Sequence, residues 1–146
     1  RHDIDLCTQR LVLKRIGLGA LKRNLPSRRK LASRPLTILA GGTDHYPARV
    51  GRSPREDILD LTALPELRGI RKTAEGWRIG ATTTWTEILE ARLPPLFDAL
   101  KLAAREVGGV QIQNAGTVAG NVCNASPAAD GIPALLALAG CPCFLR

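Results

Sequence analysis

A chain of 146 residues is long enough for one domain with a real core. Apolar residues make up 45% of it, but only Tyr46, Trp77, Trp85, Phe97 and Phe144 are aromatic, which calls for Leu, Ile, Val and Ala packed in layers of helix and sheet. The formal charge of +8 invites a nucleic-acid reading, yet residues 1–34 hold ten of the 21 basic side chains and two acids while the remainder holds eleven of each, so a basic surface running the length of the domain is excluded.

Residues 1–34 form a basic leader of atypical pattern, with an amphipathic helix expected near Leu11–Leu21 and a polar tract at Ser27–Ser33. Arg15 interrupts the apolar run, so the leader is not a secretory signal; an Arg-rich transit peptide is the weaker alternative. No transmembrane run of sufficient length occurs. The absence of Met and the start at Arg1 predict a fragment or a processed product. Cys7, Cys123, Cys141 and Cys143 match no disulfide framework, zinc site or cluster spacing, which predicts reduced thiols in a cytoplasmic protein and no metal.

From Pro35 the pattern becomes regular. Leu36–Ala40 is a β-prone run stopped by Gly41-Gly42, after which Thr43 or Asp44 is placed to cap a helical turn from His45, with Gly51 closing it. Asp57–Leu61 is expected as a second strand and Pro65–Leu67 as a short helical turn. Ile70–Thr73 and Trp77–Ala81 flank Glu75-Gly76 as a hairpin. Thr84 and Glu87 have capping-box spacing ahead of a helix to about Ala91. Pro94-Pro95 opens the strongest helix, ending near Val107, with Leu96, Leu100, Ala103 and Val107 as its core stripe and Phe97 and Ala104 beside it. Gln111–Asn124 reads as a polar stretch with many small residues. A short apolar helix over Ile132–Ala139 follows, with Asp130 as its cap, Pro133 in its first turn and Gly140 after its end.

Two runs concentrate what anion binding needs. In Ala40-Gly41-Gly42-Thr43-Asp44 the missing side chains open the backbone to a phosphate, and consecutive amides can converge on its oxygens. Ala115–Asn121 is a second small-residue run with hydroxyl and amide donors. Neither fits the dinucleotide or Walker pattern. A lone Gly-Gly turn is usually only a turn, but two such runs can converge on one diphosphate.

The segments LAGGTD (Leu39–Asp44) and GTVAGNVCNASPAAD (Gly116–Asp130), with the connecting DILDLTALPELRGI, the Trp77–Thr82 segment and REVGGVQIQNAGTV, resemble the PCMH-type FAD-binding domain of the molybdenum hydroxylases. These are the flavoprotein subunits of xanthine dehydrogenase, carbon monoxide dehydrogenase and their relatives, and the resemblance runs from about Leu36 to Ala139. It implies an α+β fold of two small α/β subdomains with FAD between them. It also implies partner subunits carrying a molybdenum cofactor and iron–sulfur clusters, and electron transfer through FAD to NAD or another acceptor. Carried over by position, Leu39, Ala40, Gly41, Gly42, Thr43 and Asp44 form one pyrophosphate loop, and Thr117, Val118, Ala119, Gly120 and Asn121 the other. Asp130 stands where the family's Asp contacts the cofactor; Asp44 is expected to order its loop and cap the helix, not to face a diphosphate. The resemblance implies no catalytic nucleophile or base, so His2 and His45 are not expected to be catalytic.

Ala119 replaces a usual Gly, a methyl expected to narrow the approach to phosphate, and His45 replaces a usual apolar residue. The leader and the closing residues 141–146 depart from the family pattern, which predicts an incomplete FAD domain over residues 35–140 and no full activity from this chain alone. Two readings compete: an inactive truncated product, and a basic module binding nucleic acid or an acidic membrane through residues 1–34. With the excess charge confined to the leader, neither a nucleic-acid nor a membrane partner is expected for the domain itself.

Overall fold

The computed structural model describes residues 36–52, 56–74, 76–124 and 129–139. The expected leader helix, His2, Cys7, Cys141, Cys143 and the helix-closing Gly140 lie outside the described residues.

Strand β1 (Leu36–Leu39) pairs in parallel with β2 (Asp57–Asp60), Leu36 opposite Asp57 and Leu39 opposite Asp60. A parallel pair needs a crossover, and here the Gly41-Gly42 turn and a 3₁₀ turn at Pro47–Arg49 start it. The turn differs from expectation. Its N-cap is Tyr46, with no side-chain cap, so neither Thr43 nor Asp44 performs that role; the backbone bonds Tyr46 N–H to Gly42 O and Ala48 N–H to Asp44 O hold the chain instead.

After 3₁₀ turns at Leu61–Ala63 and Pro65–Leu67, β3 (Ile70–Thr73) and β4 (Gly76–Ile79) form an antiparallel hairpin with Ile70 opposite Ile79 and Arg71 opposite Arg78. Strand alternation turns Ile70, Trp77 and Ile79 inward, where they pack on the main core, and Trp77 meets Phe97 edge-on at 5.6 Å. The buried threonines Thr82, Thr83 and Thr84 come next. Thr83 bonds Gly69 twice, its Oγ1 accepting from the amide at 3.0 Å and donating to the carbonyl at 3.1 Å.

Helix α1 (Trp85–Glu90) begins with the expected capping box: the Glu87 amide donates to Thr84 Oγ1 at 3.3 Å and the Thr84 amide to a Glu87 carboxylate oxygen at 2.8 Å. Pro94-Pro95 opens a 3₁₀ turn, Pro95–Phe97, that runs into α2 (Asp98–Glu106). This tighter first turn changes the phase of the helix. Phe97, Leu100, Ala104 and Val107 are the buried positions, whereas Leu96, expected on the core stripe, is 44% exposed.

The stretch read as polar and rich in small residues is largely two helices, α3 (Val110–Ala115) and α4 (Val118–Asn124), before α5 (Gly131–Ala139), which holds Pro133 in its first turn. Trp85, Ile88, Phe97, Leu100, Val118 and Leu138 belong to one core joining α1, α2, α4 and α5. The parallel pair β1–β2 stands beside it, with Leu39 and Leu61 buried.

Candidate functional site

A cleft of about 640 Å³ runs along β1 and past its carboxyl end, facing α3, α4 and the residues ahead of α5. This is the side of a parallel sheet on which ligands are held, because the loops there diverge and leave a crevice. Its lining includes Ala40, Gly42, Thr43 and Asp44 from the first loop, Thr117, Ala119, Gly120 and Asn121 from the second segment, and Asp130 ahead of α5.

Thr117 joins the two sides. It is 2% exposed, and its Oγ1 donates to Ala40 O at 3.2 Å while accepting from the Gly120 amide at 3.1 Å. On the other side of Thr117, a backbone zipper fixes the second segment to the threonine run. The Trp85 amide donates to Gly116 O (3.2 Å), the Val118 amide to Thr83 O (2.9 Å) and the Ala119 amide to Ala81 O (3.1 Å).

The glycines permit this close approach, a different role from the one the sequence suggested. Gly41 has φ +79°, and a Cβ there would strike the carbonyl oxygen of Ala115. A Cβ on Gly120 would stand 2.8 Å from both Ala40 O and Thr117 Oγ1. Both positions are therefore bare so that one segment can pack on the other. Gly131 is pressed on the Trp85 ring, and a Cβ there would lie 3.1 Å from Asn121 Oδ1. That packing brings the start of α5, and with it Asp130, to the cleft.

Among the expected site residues, Gly41 and Val118 are the two that do not line the cleft: Gly41 faces Ala115, and Val118 belongs to the hydrophobic core. The second segment is also not a loop. Val118 to Asn121 form the first turn of α4, and their amides are all engaged, Gly120 on Thr117 Oγ1 and Asn121 on Thr117 O. By contrast, the amides of Gly41, Gly42, Thr43 and Asp44 donate to no acceptor among the described residues. The Asn121 Oδ1 atom is buried without a hydrogen-bond partner among them. Asp44 and Asp130 are exposed carboxylates on the lining.

Sequence reasoning missed the apolar wall formed by Leu36, Ile38, Leu61, Val107 and Ile112. Leu36 and Ile38 alternate along β1, which was the available signal; Ile112 lies on a helix the sequence did not reveal. His45 also lines the cleft. Its Nδ1 is 2.9 Å from Arg49 Nη1, and Arg49 reaches Glu56 at 3.0 Å. The Thr37 hydroxyl donates to Glu56 at 2.6 Å, and chiefly that bond holds the Glu56 carboxyl below its ordinary pKa. This network links His45 and Arg49, through Glu56, to Thr37 of β1.

A free anion-seeking run of amides, hydroxyl-accepting groups across from it and an apolar wall suit a molecule that combines a diphosphate, polyhydroxyl chains and flat rings. Residues 26–141 match the family model described as the FAD binding domain in molybdopterin dehydrogenase. The chain is 40% identical over 96 residues to the xanthine dehydrogenase FAD-binding subunit of Escherichia coli O157:H7, covering 64% of this chain and 33% of that protein. It is 38% identical over 106 residues to the nicotinate dehydrogenase FAD-subunit of Eubacterium barkeri, covering 71% and 36%. It thus spans about a third of the length of these curated relatives. Among solved structures, the cyanide-inactivated Cu,Mo-CO dehydrogenase superposes with a TM-score of 0.55 at 29% identity, over 72% of this chain and 37% of that one. The carbon monoxide dehydrogenase of Hydrogenophaga pseudoflava lacking its Mo-pyranopterin moiety gives 0.51 at 30%, over 64% and 33%.

Proposed function

The chain belongs to the family of FAD-binding domains of molybdopterin dehydrogenases, and on that premise we propose that it is the FAD-holding electron-transfer part of a molybdenum hydroxylase-type oxidoreductase. The observation that carries the reading is the Thr117 hydroxyl on Ala40 O, which draws both small-residue segments to one cleft.

The residues present fit FAD in the following way. The amides of Gly42, Thr43 and Asp44, cleft-lining residues whose N–H groups have no other acceptor among the described residues, would donate to the diphosphate oxygens. The second segment would contribute through side chains and shape, because its own amides are engaged. Asn121 Oδ1, buried and unpaired, needs a donor, and a sugar or ribityl hydroxyl supplies one. Asp130 is suited to the same kind of hydroxyl, since a carboxylate repels a phosphate but accepts well from an alcohol. Leu39, Ala40 and Ala119 complete the lining, Gly41 and Gly120 set how near the two segments stand, and Val118 anchors α4 in the core.

When bound, FAD supplies the redox chemistry by which electrons pass from the iron–sulfur clusters of a partner subunit to NAD or another acceptor, hydroxylation belonging to a molybdenum-cofactor subunit. The residues of this chain bind, orient and shield; none is assigned a covalent or proton-transfer role. The proposed setting is cytoplasmic, and no helix among the described residues is long and apolar enough to cross a membrane.

Titration of the purified chain with FAD tests the proposal. Saturable binding of one FAD per chain, with a flavin absorption band retained after gel filtration, is the expected outcome; protein that stays colourless at every FAD concentration contradicts it.

A further inference from the structure

Antiparallel register sets Arg71 directly opposite Arg78 on the outer face of the β3–β4 hairpin. Directly opposed side chains have Cβ atoms about 5 Å apart, where like charges destabilise the pair. Both arginines are exposed, and neither forms an ion pair with a carboxylate among the described residues. Arg71 has one hydrogen bond, to the carbonyl oxygen of Glu66 at 3.2 Å, which orients its guanidinium without neutralising it. The inner face of the same hairpin is fixed: Ile70, Trp77 and Ile79 pack on the core and Trp77 meets Phe97. The fold thus sets two exposed arginines directly opposite each other on a rigid support.

We propose that this hairpin face is a docking site for an acidic protein surface, whose carboxylates bridge Arg71 and Arg78. Guanidiniums take carboxylates in two-pronged fashion, and two held side by side select a paired or clustered acidic patch. Charge complementarity also decides the class of partner. Residues 66–79 carry Arg68, Arg71, Lys72 and Arg78 against Glu66 and Glu75, and Arg68 is already paired with Glu87 at 3.0 Å. A nucleic-acid backbone needs a longer, uninterrupted basic track than this small patch offers. The inference stands apart from the flavin assignment, since the hairpin contributes no residue to the cleft lining.

The test uses the full chain and a fluorescein-labelled hexaglutamate peptide, read by anisotropy at low salt. The double variant Arg71→Gln/Arg78→Gln is compared with Arg92→Gln/Arg105→Gln, which removes the same charge from exposed positions elsewhere. The hairpin variant is expected to weaken peptide binding at least about fivefold and the control less than about twofold, with the hairpin variant's unfolding midpoint unchanged or raised by relief of repulsion. Equal losses in the two variants overturn the proposal, as does a lowered midpoint for the hairpin variant, which would make the pair structural. A single-stranded oligonucleotide that binds through the same two arginines more tightly than the peptide also overturns it.

Discussion

Replacing Thr117 by Val removes one hydroxyl and almost nothing else, because the two side chains have the same shape. Two bonds go with it, Thr117 Oγ1 to Ala40 O at 3.2 Å and the Gly120 amide to Thr117 Oγ1 at 3.1 Å. Each leaves behind a backbone group that costs roughly 1–3 kcal/mol if it stays buried without a partner. Ala40 and Gly120 are half-buried and line the cleft, so water entering there can satisfy part of the loss. The expected destabilisation is therefore about 2 kcal/mol, the lower part of the summed range. For a chain of this size that corresponds to a fall of roughly 4–8 °C in the unfolding midpoint. The same bond sets the separation of the two cleft walls, so FAD affinity should fall by up to about 30-fold, the equivalent of about 2 kcal/mol. Thermal unfolding with and without FAD, together with a fluorescence titration, measures both quantities. Thr117→Ser keeps the hydroxyl and should recover most of each. A Val variant within about 1 °C and twofold of the parent would refute the idea that this hydroxyl couples the two segments.

Gly41→Ala and Gly51→Ala form a matched pair, at φ +79° and +76°. At Gly51 the added Cβ has nothing within 4 Å, so only backbone strain of about 1–2 kcal/mol is expected in chemical denaturation. At Gly41 the same strain is joined by collision with Ala115 O, and the loss should exceed that of Gly51→Ala and extend to FAD affinity. Trp85→Ala empties a position that is 1% exposed and supports Gly131, and it should cost about 3–5 kcal/mol by denaturant unfolding. Partial burial raises the pKa of Glu87, but the Thr84 amide, Arg68 and the Thr84 hydroxyl outweigh it and leave the carboxyl below its ordinary 4.5. Its stabilising contribution is therefore complete above about pH 4.5 and lost as pH falls through the lower folded value. Unfolding midpoints followed from pH 6 to pH 3 should show a shallower acid decline in Glu87→Gln than in the parent.

Elements whose signals are local were legible in the sequence. Two β-prone runs signalled the hairpin, although its second strand is Gly76–Ile79 and not the expected Trp77–Ala81, with Gly76 pairing Thr73 in place of turning the chain. The α1 capping box needs only Thr84 and Glu87. The phase of α2 was not, because a 3₁₀ turn at Pro95–Phe97 rotates Leu96 outward and Phe97 inward, and apolar spacing alone does not distinguish the two helix types. Helices α3 and α4 were hidden for another reason. Val110–Ala115 has no buried residue, and Val118–Asn124 buries Val118 alone, so neither leaves a strong periodic stripe. The start of α4 is held by bonds to distant backbone, at Thr83 O and Ala81 O, which no local pattern encodes.

At the site, most residues of the two small-residue runs reach one cleft. The division of labour was not readable. Which glycine faces a ligand and which faces a carbonyl depends on how the two runs pack, and the engaged amides of Val118–Asn121 follow from a helix that the sequence did not announce. The apolar wall at Ile38, Leu61 and Ile112 comes from three separate elements that only the fold assembles.

Amide hydrogen exchange with and without FAD examines the cofactor assignment at the level of single backbone groups. Without FAD, the amides of Gly42 to Asp44 should exchange fast and those of Val118 to Asn121 slowly; saturating FAD should protect the first set strongly and the second little. Protection confined to another part of the surface, or none at Gly42 to Asp44 despite saturated binding, would contradict a diphosphate held by the first loop.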